Sequence, residues 1–106
     1  MPKYPLQANY VGEGIKGLLK EGGAGRRTAA EKAISSAGGK MEGFYFAFGD
    51  HDAYVIADLP DNASMTALAL AISASGAVAT KTTVLLTPEE VDAATKKTTD
   101  YRAPGK

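Results

Sequence analysis

Two runs of alternating residues around one polar turn constrain the fold of this chain more than any other feature. Met41 to Phe48 places three phenylalanines on one side, and Asp52 to Leu59 alternates in the same way. Between the two runs stand Gly49, Asp50 and His51, of which glycine and aspartate favour tight turns. Alternation with a period of two indicates strands, and a short link makes them antiparallel neighbours. The sequence therefore predicts a β-hairpin at its centre.

The segments on either side of the hairpin predict two more strands and two helical connections. Alternating strands run from Tyr4 to Val11 and from Val78 to Leu86. The first connection carries apolar residues at helical spacing on both sides of a glycine-rich kink at residues 21–25. The second begins after Pro60, with Asp61 as its capping residue, and bears an apolar stripe that ends before a glycine.

The clearest helix start in the chain lies near its C-terminus. Thr87 offers a capping hydroxyl, proline follows at the first helical position, and Glu90 completes a capping box. The helix that begins there is short, and the residues after it are polar. We therefore predict a single domain over residues 1–95 and a polar C-terminal tail over residues 96–106.

The order of these elements defines a fold class. Strand, helix, strand, strand, helix, strand is the split βαβ, or ferredoxin-like, βαββαβ plan. Right-handed crossovers bring both helices to the same side of the sheet. The prediction is an α+β domain with a four-stranded antiparallel sheet, two helices on one face and an extra C-terminal helix.

The hairpin strands are apolar on both faces, although two helices can cover only one. In the third strand, Tyr54 and Ile56 oppose a second apolar row made of Ala53, Val55, Ala57 and Leu59. Large exposed apolar patches are rare on soluble monomers. We therefore expect a homodimer in which one sheet face packs on its copy around a two-fold axis. The alternative is that this surface lines a ligand pocket, and a cleft between the helices and the sheet can remain unfilled in either case.

Composition excludes several classes of function. Lys plus Arg and Asp plus Glu number 12 each, so no net charge attracts nucleic acid or an anionic membrane. The absence of cysteine excludes disulfides, thiolate catalysis, iron–sulfur clusters and cysteine-based zinc sites. No stretch is long and apolar enough to span a membrane. We expect a cytoplasmic protein whose partners include neither nucleic acid nor a membrane.

The only histidine of the chain is its best candidate for chemistry. Asp50, His51 and Asp52 place an imidazole between two carboxylates, which can orient its ring. Adjacent strand residues point to opposite faces, so the three side chains need not converge, and a polar turn is the simpler interpretation. One histidine with neighbouring carboxylates lacks the ligand set that zinc or iron requires. We therefore predict neither a metal site nor a cofactor.

Tyrosines and glycine-rich segments are weaker candidates for a binding site. Gly12 to Gly14 and Gly22 to Arg27 suggest an anion cradle at a helix start, but neither matches the dinucleotide fingerprint or the phosphate loop. Kinks and loop flexibility explain them better. Four tyrosines can line a ligand pocket with their hydroxyls, or be ordinary core and interface residues; they are Tyr4, Tyr10, Tyr45 and Tyr54.

The segment GGKMEGFYFAFGDHDAYVIADLPD, followed by an alanine-rich helix and SGAVATKTTVLLTPEE, resembles the GYD-domain family of small bacterial and archaeal proteins. The resemblance runs from Tyr4 to Glu90. In the family the hairpin reads glycine, an acidic or small residue, tyrosine and aspartate, and then an apolar strand ending in Pro-Asp. The matching residues here are Gly49, Asp50, Asp52, Pro60 and Asp61. His51 stands where tyrosine is usual, and Ala79 where a basic residue is expected.

The resemblance implies a dimeric α/β-barrel arrangement, similar in plan to cofactor-free monooxygenases and heme-handling enzymes. Two hypotheses follow. The first is a non-catalytic dimeric module that binds a small ligand or a partner protein. The second is a cofactor-free or heme-dependent enzyme that uses His51 as a base or a ligand. An enclosed pocket that contains His51 favours the enzyme, and a solvent-exposed His51 favours the module.

Overall fold

A computed structural model of the chain describes residues 1–47 and 49–106 and contains one open antiparallel sheet with three helices. The α+β class predicted from the sequence is confirmed. Phe48, the predicted end of the second strand, lies outside the described residues. The strands are β1 (Lys3–Tyr10), β2 (Lys40–Phe46), β3 (Ala53–Asp58) and β4 (Val78–Thr82), and the helices are α1 (Gly14–Ser36), α2 (Asn62–Ala74) and α3 (Pro88–Thr95).

The four strands lie in the order β2-β3-β1-β4, and each neighbouring pair is antiparallel. Leu6 of β1 stands opposite Val55 on one side and Thr82 on the other. In β2, a register shift between Met41 and Gly43 marks a bulge. β1 and β3 therefore form the interior of the sheet, and β2 and β4 its edges.

Both long helices pack against one face of the sheet. On that face alternate residues of β1 and β3 are buried, which is the row predicted from the sequence. Ile34 of α1 and Met65 and Leu68 of α2 belong to the same apolar cluster. Tyr4 and Leu59 within it are fully buried. Burying a large apolar side chain contributes about 1.5–3 kcal/mol, so this layer holds the domain together.

The predicted glycine kink interrupts α1. Gly22 has φ 80° and ψ 168°, a conformation that a residue with a Cβ adopts only at a cost. The chain therefore changes direction between residues 21 and 23, and the second half of the helix brings Ile34 onto the sheet. One continuous connection thus contains two helical segments with different directions.

Both predicted helix caps are present. Oδ1 of Asp61 accepts a hydrogen bond from the backbone N–H of Ser64 at 2.8 Å, and this bond lowers the pKa of the Asp61 carboxyl below its usual value. At α3, Thr87 and Glu90 form a reciprocal capping box with two bonds of 3.1 Å. These caps fix the starts of α2 and α3 where the sequence placed them.

The opposite face of the sheet and the C-terminal segment are uncovered. Tyr45 and Tyr54 lie side by side on this open sheet face and are 66% and 38% exposed. The last strand ends at Thr82 rather than at Leu86, and every residue of the C-terminal arm (residues 83–106) is exposed. The radius of gyration is 17.0 Å, whereas a compact domain of this length has about 13 Å. Thr83 and Leu85 still donate to the backbone of β1, and beyond them the arm projects from the two-layer body.

None of the helices in the described part of the chain is long and apolar enough to cross a membrane.

Candidate functional site

Asp52 at the hairpin tip is bound to the end of β1. Its Oδ2 accepts a hydrogen bond from the backbone N–H of Tyr10 at 2.9 Å. Its own N–H donates to the carbonyl of Ala8 at 2.9 Å and to Oδ1 of Asn9 at 3.1 Å. Because its carboxylate and its N–H are both engaged by β1, Asp52 anchors the turn to the neighbouring strand.

His51 contacts an amide and an aromatic ring. Nδ2 of Asn9 lies 3.4 Å from Nδ1 of His51, and the ring of Tyr54 meets the imidazole edge-on at 5.9 Å between centroids. An amide nitrogen only donates, so this contact is a hydrogen bond when Nδ1 of His51 is unprotonated and accepts. His51 is half-buried, and Asp50 is exposed. The structure thus brings His51 together with Asn9 and Tyr54, while the carboxylate of Asp52 bonds to the backbone of β1.

The four candidate tyrosines occupy three separate places. Tyr4 is fully buried and donates its hydroxyl to Oδ1 of Asn62 at 2.6 Å. Tyr45 and Tyr54 are paired on the open sheet face. Tyr10 lies on the helix side, at the far end of β1. The fold therefore does not gather these hydroxyls around one ligand.

A cleft between the helices and the sheet contains two adjoining cavities. The inner one has a volume of about 90 Å³ and the outer one about 290 Å³. Tyr10, Arg26, Ile72 and Val78 line both of them. The inner cavity exists because small side chains face it from both layers, and these are Ala8, Ala29, Ala30, Ala33 and Ala53.

Arg26 stands where the two cavities meet. Its Nη1 donates to Oε2 of Glu21 at 3.3 Å. Its Nε is buried and has no hydrogen-bond partner, and it is the one such side-chain nitrogen or oxygen atom among the described residues. An unpaired buried donor costs about 1–3 kcal/mol, and native structures contain few of them. The guanidinium of Arg26, a residue that lines both cavities, therefore contains an N–H donor without a partner.

Sequence reasoning missed Arg26 and Asn9. Arg26 lay within the Gly22 to Arg27 segment, which was considered as an anion cradle and set aside, and its inward position depends on the packing of the second half of α1 against the sheet. Asn9 lies 42 residues from His51, and the only sequence signal was its place on the polar side of β1. The position of Arg26 at the cavity and the contact of Asn9 with His51 both depend on packing between distant parts of the chain.

The described residues offer little to a metal or a heme. No three of their His, Asp or Glu side chains come close enough to hold a metal ion. His51 lines neither cavity of the cleft, so the cleft supplies no histidine ligand for a heme iron. Elsewhere, Lys3 donates to Glu42 at 2.7 Å and to Asp58 at 3.1 Å, and these bonds raise the pKa of the Lys3 ammonium. That exposed cluster lies away from the cleft.

The fold and the cleft together define a class: an α+β protein whose antiparallel sheet is covered on one face by two helices. Within that class the model of the GYD domain matches residues 4–95, and the chain belongs to the GYD domain family. The match includes the sheet except for Lys3, both long helices and α3. Comparison with curated proteins and comparison with solved structures returned no match.

Proposed function

We propose that this GYD-domain protein is a non-catalytic homodimeric module that binds a small ligand in the cleft between its helices and its sheet. The observation that carries the proposal is the unfilled inner cavity, about 90 Å³ in volume, which adjoins an outer cavity of about 290 Å³. Protein interiors are packed so closely that such voids are few. An apolar cleft with a few polar groups at its mouth is the usual form of a small-molecule site.

The ferredoxin-like plan and its dimeric α/β-barrel variant belong to the same proposal. The strand order β2-β3-β1-β4 supports the plan, because β1 and β2 are separated by one strand that runs the opposite way. The packing of Ile34 and Met65 in one cluster supports helices on a common face. In this arrangement the uncovered face is available to a second copy.

The exposed surface supports the homodimer. The chain exposes 7441 Å², whereas a compact monomer of 11.0 kDa exposes about 5,600 Å². The excess of about 1,800 Å² lies within the roughly 1,000–2,500 Å² that each partner loses in an obligate dimer. A second copy is the fitting occupant, because a two-fold axis covers the same open sheet face on both chains at once. Tyr45, Tyr54 and the apolar residues of the C-terminal arm would then leave solvent together.

Occupation of the cavity can be tested with small apolar fragments followed by ligand-observed NMR. Ala30→Leu places a larger side chain against the inner cavity, and Ala63→Leu makes the same change at an exposed position of α2. We expect fragments to bind the unchanged protein and Ala63→Leu, and not Ala30→Leu. Equal binding to all three proteins, or binding to none, would contradict the proposal.

A second candidate function is the enzyme that uses His51, and the fixed position of its imidazole against Asn9 and Tyr54 favours it. In that case the reactive group would be Nδ1 or Nε2 of a half-buried ring at the hairpin tip. His51→Tyr introduces the residue that is usual in the family. Loss of a measured turnover in this variant, with unchanged thermal unfolding, would favour the enzyme over the module.

A further inference from the structure

From the position of Arg26 we infer that the cleft binds a small monocarboxylate with an apolar tail. The inference rests on the proposed function and adds the chemical class of the ligand. Its basis is one juxtaposition: a guanidinium with an unpaired buried nitrogen at the mouth of an apolar cavity. The guanidinium can thus bind the carboxylate of a ligand, and the adjoining apolar cavity can bind its tail.

The guanidinium of Arg26 is occupied on one side only. Among the described residues its side-chain hydrogen bond is the one from Nη1 to Glu21. Nε, on the other edge, is enclosed and has no partner among the described residues, so a carboxylate reaches it only if the guanidinium turns toward the cavity. A guanidinium edge matches a carboxylate with two parallel N–H···O bonds, and such charge-assisted bonds are among the strongest in proteins. A carboxylate at this edge would give Nε its missing acceptor.

The inner cavity selects the rest of the ligand. Apart from Arg26, Tyr10 and Thr80, its walls are hydrocarbon, with Val55 and Ile72 among them. Its volume of about 90 Å³ suits a short branched aliphatic chain. Tyr10 lines both cavities and adds a phenol at their junction. A ligand with its carboxylate at Arg26 can therefore bury its tail between the helices and the sheet.

The local charges favour a single negative charge on the ligand. Glu21 is 3.3 Å from Arg26, and Glu13 lines the outer cavity as well. Glu13 is paired with Lys16, so the carboxylate beside the guanidinium is that of Glu21, and it opposes a phosphate dianion or a polyphosphate more strongly than a monoanion. A monoanion beside Arg26 is repelled less by the neighbouring carboxylate than a dianion is. The site is thus suited to a carboxylic acid rather than to a nucleotide.

The test compares isovalerate with its neutral isostere isovaleramide by calorimetric titration. Both probes carry the same tail, but only the acid has a negative charge and two oxygens for the fork of Arg26, whereas the amide offers one neutral oxygen. The variants are Arg26→Met, Arg26→Lys and, as the matched control, Arg27→Met, which removes the neighbouring exposed arginine. Thermal unfolding of each variant shows that it is folded before binding is compared.

We expect the unchanged protein and Arg27→Met to bind the acid more tightly than the amide. Arg26→Met should weaken acid binding about 10-fold to 100-fold and amide binding by a clearly smaller factor. Arg26→Lys should recover only part of the loss, because an ammonium lacks the planar fork. Equal affinity for acid and amide, or equal losses in Arg26→Met and Arg27→Met, would overturn the inference while leaving a ligand cleft in place. Failure of isovalerate, isovaleramide and the apolar fragments alike would overturn the proposed function as well.

Discussion

The hydroxyl of Tyr4 donates a 2.6 Å hydrogen bond to Oδ1 of Asn62 and so joins an interior strand of the sheet to the first turn of α2. Tyr4 is fully buried, whereas Asn62 is exposed. A buried phenol needs a partner, and an exposed amide can use water instead. Leaving the Tyr4 hydroxyl without a partner should therefore destabilise the fold more than leaving the Asn62 amide without one.

This asymmetry predicts unequal effects of two substitutions. Asn62→Ala leaves the buried hydroxyl of Tyr4 without an acceptor and should lower the free energy of unfolding by about 1–3 kcal/mol. Tyr4→Phe removes the hydroxyl with its bond and should cost about 0.5–1.5 kcal/mol. Urea unfolding measures both, with Tyr45→Phe on the open sheet face as a control that should change nothing. Equal losses at both ends would contradict the account of this bond.

The capping carboxylate of Asp61 predicts a pH dependence. The hydrogen bonds from Ser64 lower the pKa of Asp61 in the folded state. A group with a lowered folded pKa contributes stability that is present above its unfolded pKa and is lost as the pH falls through the folded value. In Asp61→Asn the amide oxygen still caps the helix but does not titrate there. Urea midpoints measured from neutral to acid pH should fall less steeply in Asp61→Asn, and parallel curves would refute the role of this carboxylate.

Two glycines of α1 should respond to alanine in opposite directions. A Cβ added at Gly22 or at Gly17 meets nothing within 4 Å. The effect of alanine on stability therefore depends only on the backbone conformation at each position. At Gly22, where φ is 80° and ψ is 168°, alanine should destabilise the fold by about 1–3 kcal/mol. At Gly17, inside regular helix, alanine should stabilise it by about 0.4–1 kcal/mol. Thermal unfolding that shifted the same way in both variants would mean that the kink is not held at Gly22.

Substitutions at two adjacent residues of β3 should have different effects, one on folding and the other on dimerisation. Val55 is buried under the helices, so Val55→Asp should bury an unpaired charge and unfold the domain. Ile56 faces the opposite way, and Ile56→Asp should leave a folded chain that no longer dimerises. Light scattering should give twice the chain mass of 11.0 kDa for the unchanged protein and the single mass for Ile56→Asp. A monomeric unchanged protein would refute the homodimer.

Local patterns were enough to predict most of the fold. The period of two over Met41 to Phe46, the cap at Asp61 and the capping box at Thr87 each depend on residues within a few positions. The end of the last strand was wrong by four residues. Val84 to Leu86 alternate like a strand, but beyond Thr82 the chain keeps only isolated bonds to the first strand.

The cleft could not be predicted in the same way. Arg26 and Arg27 look alike in the sequence, yet one reaches the cavity and the other lies in solvent. Their difference comes from the direction of α1 after Gly22 and from its contact with the sheet. His51 was predicted beside its sequence neighbours Asp50 and Asp52, whereas the amide of Asn9 arrives from another strand. Side-chain environments of this kind depend on long-range packing that no local pattern encodes.

The most direct test of the account is a ¹H–¹⁵N NMR titration of the unchanged protein with isovalerate. The largest amide shifts should fall on the residues around the cleft, with Tyr10, Ala29, Ile72 and Val78 among them. The side-chain Nε–H of Arg26 should shift as well, because it gains an acceptor. Shifts confined to Asn9, His51 and Tyr54 at the hairpin tip would place the ligand at the histidine instead and contradict the cleft as the binding site.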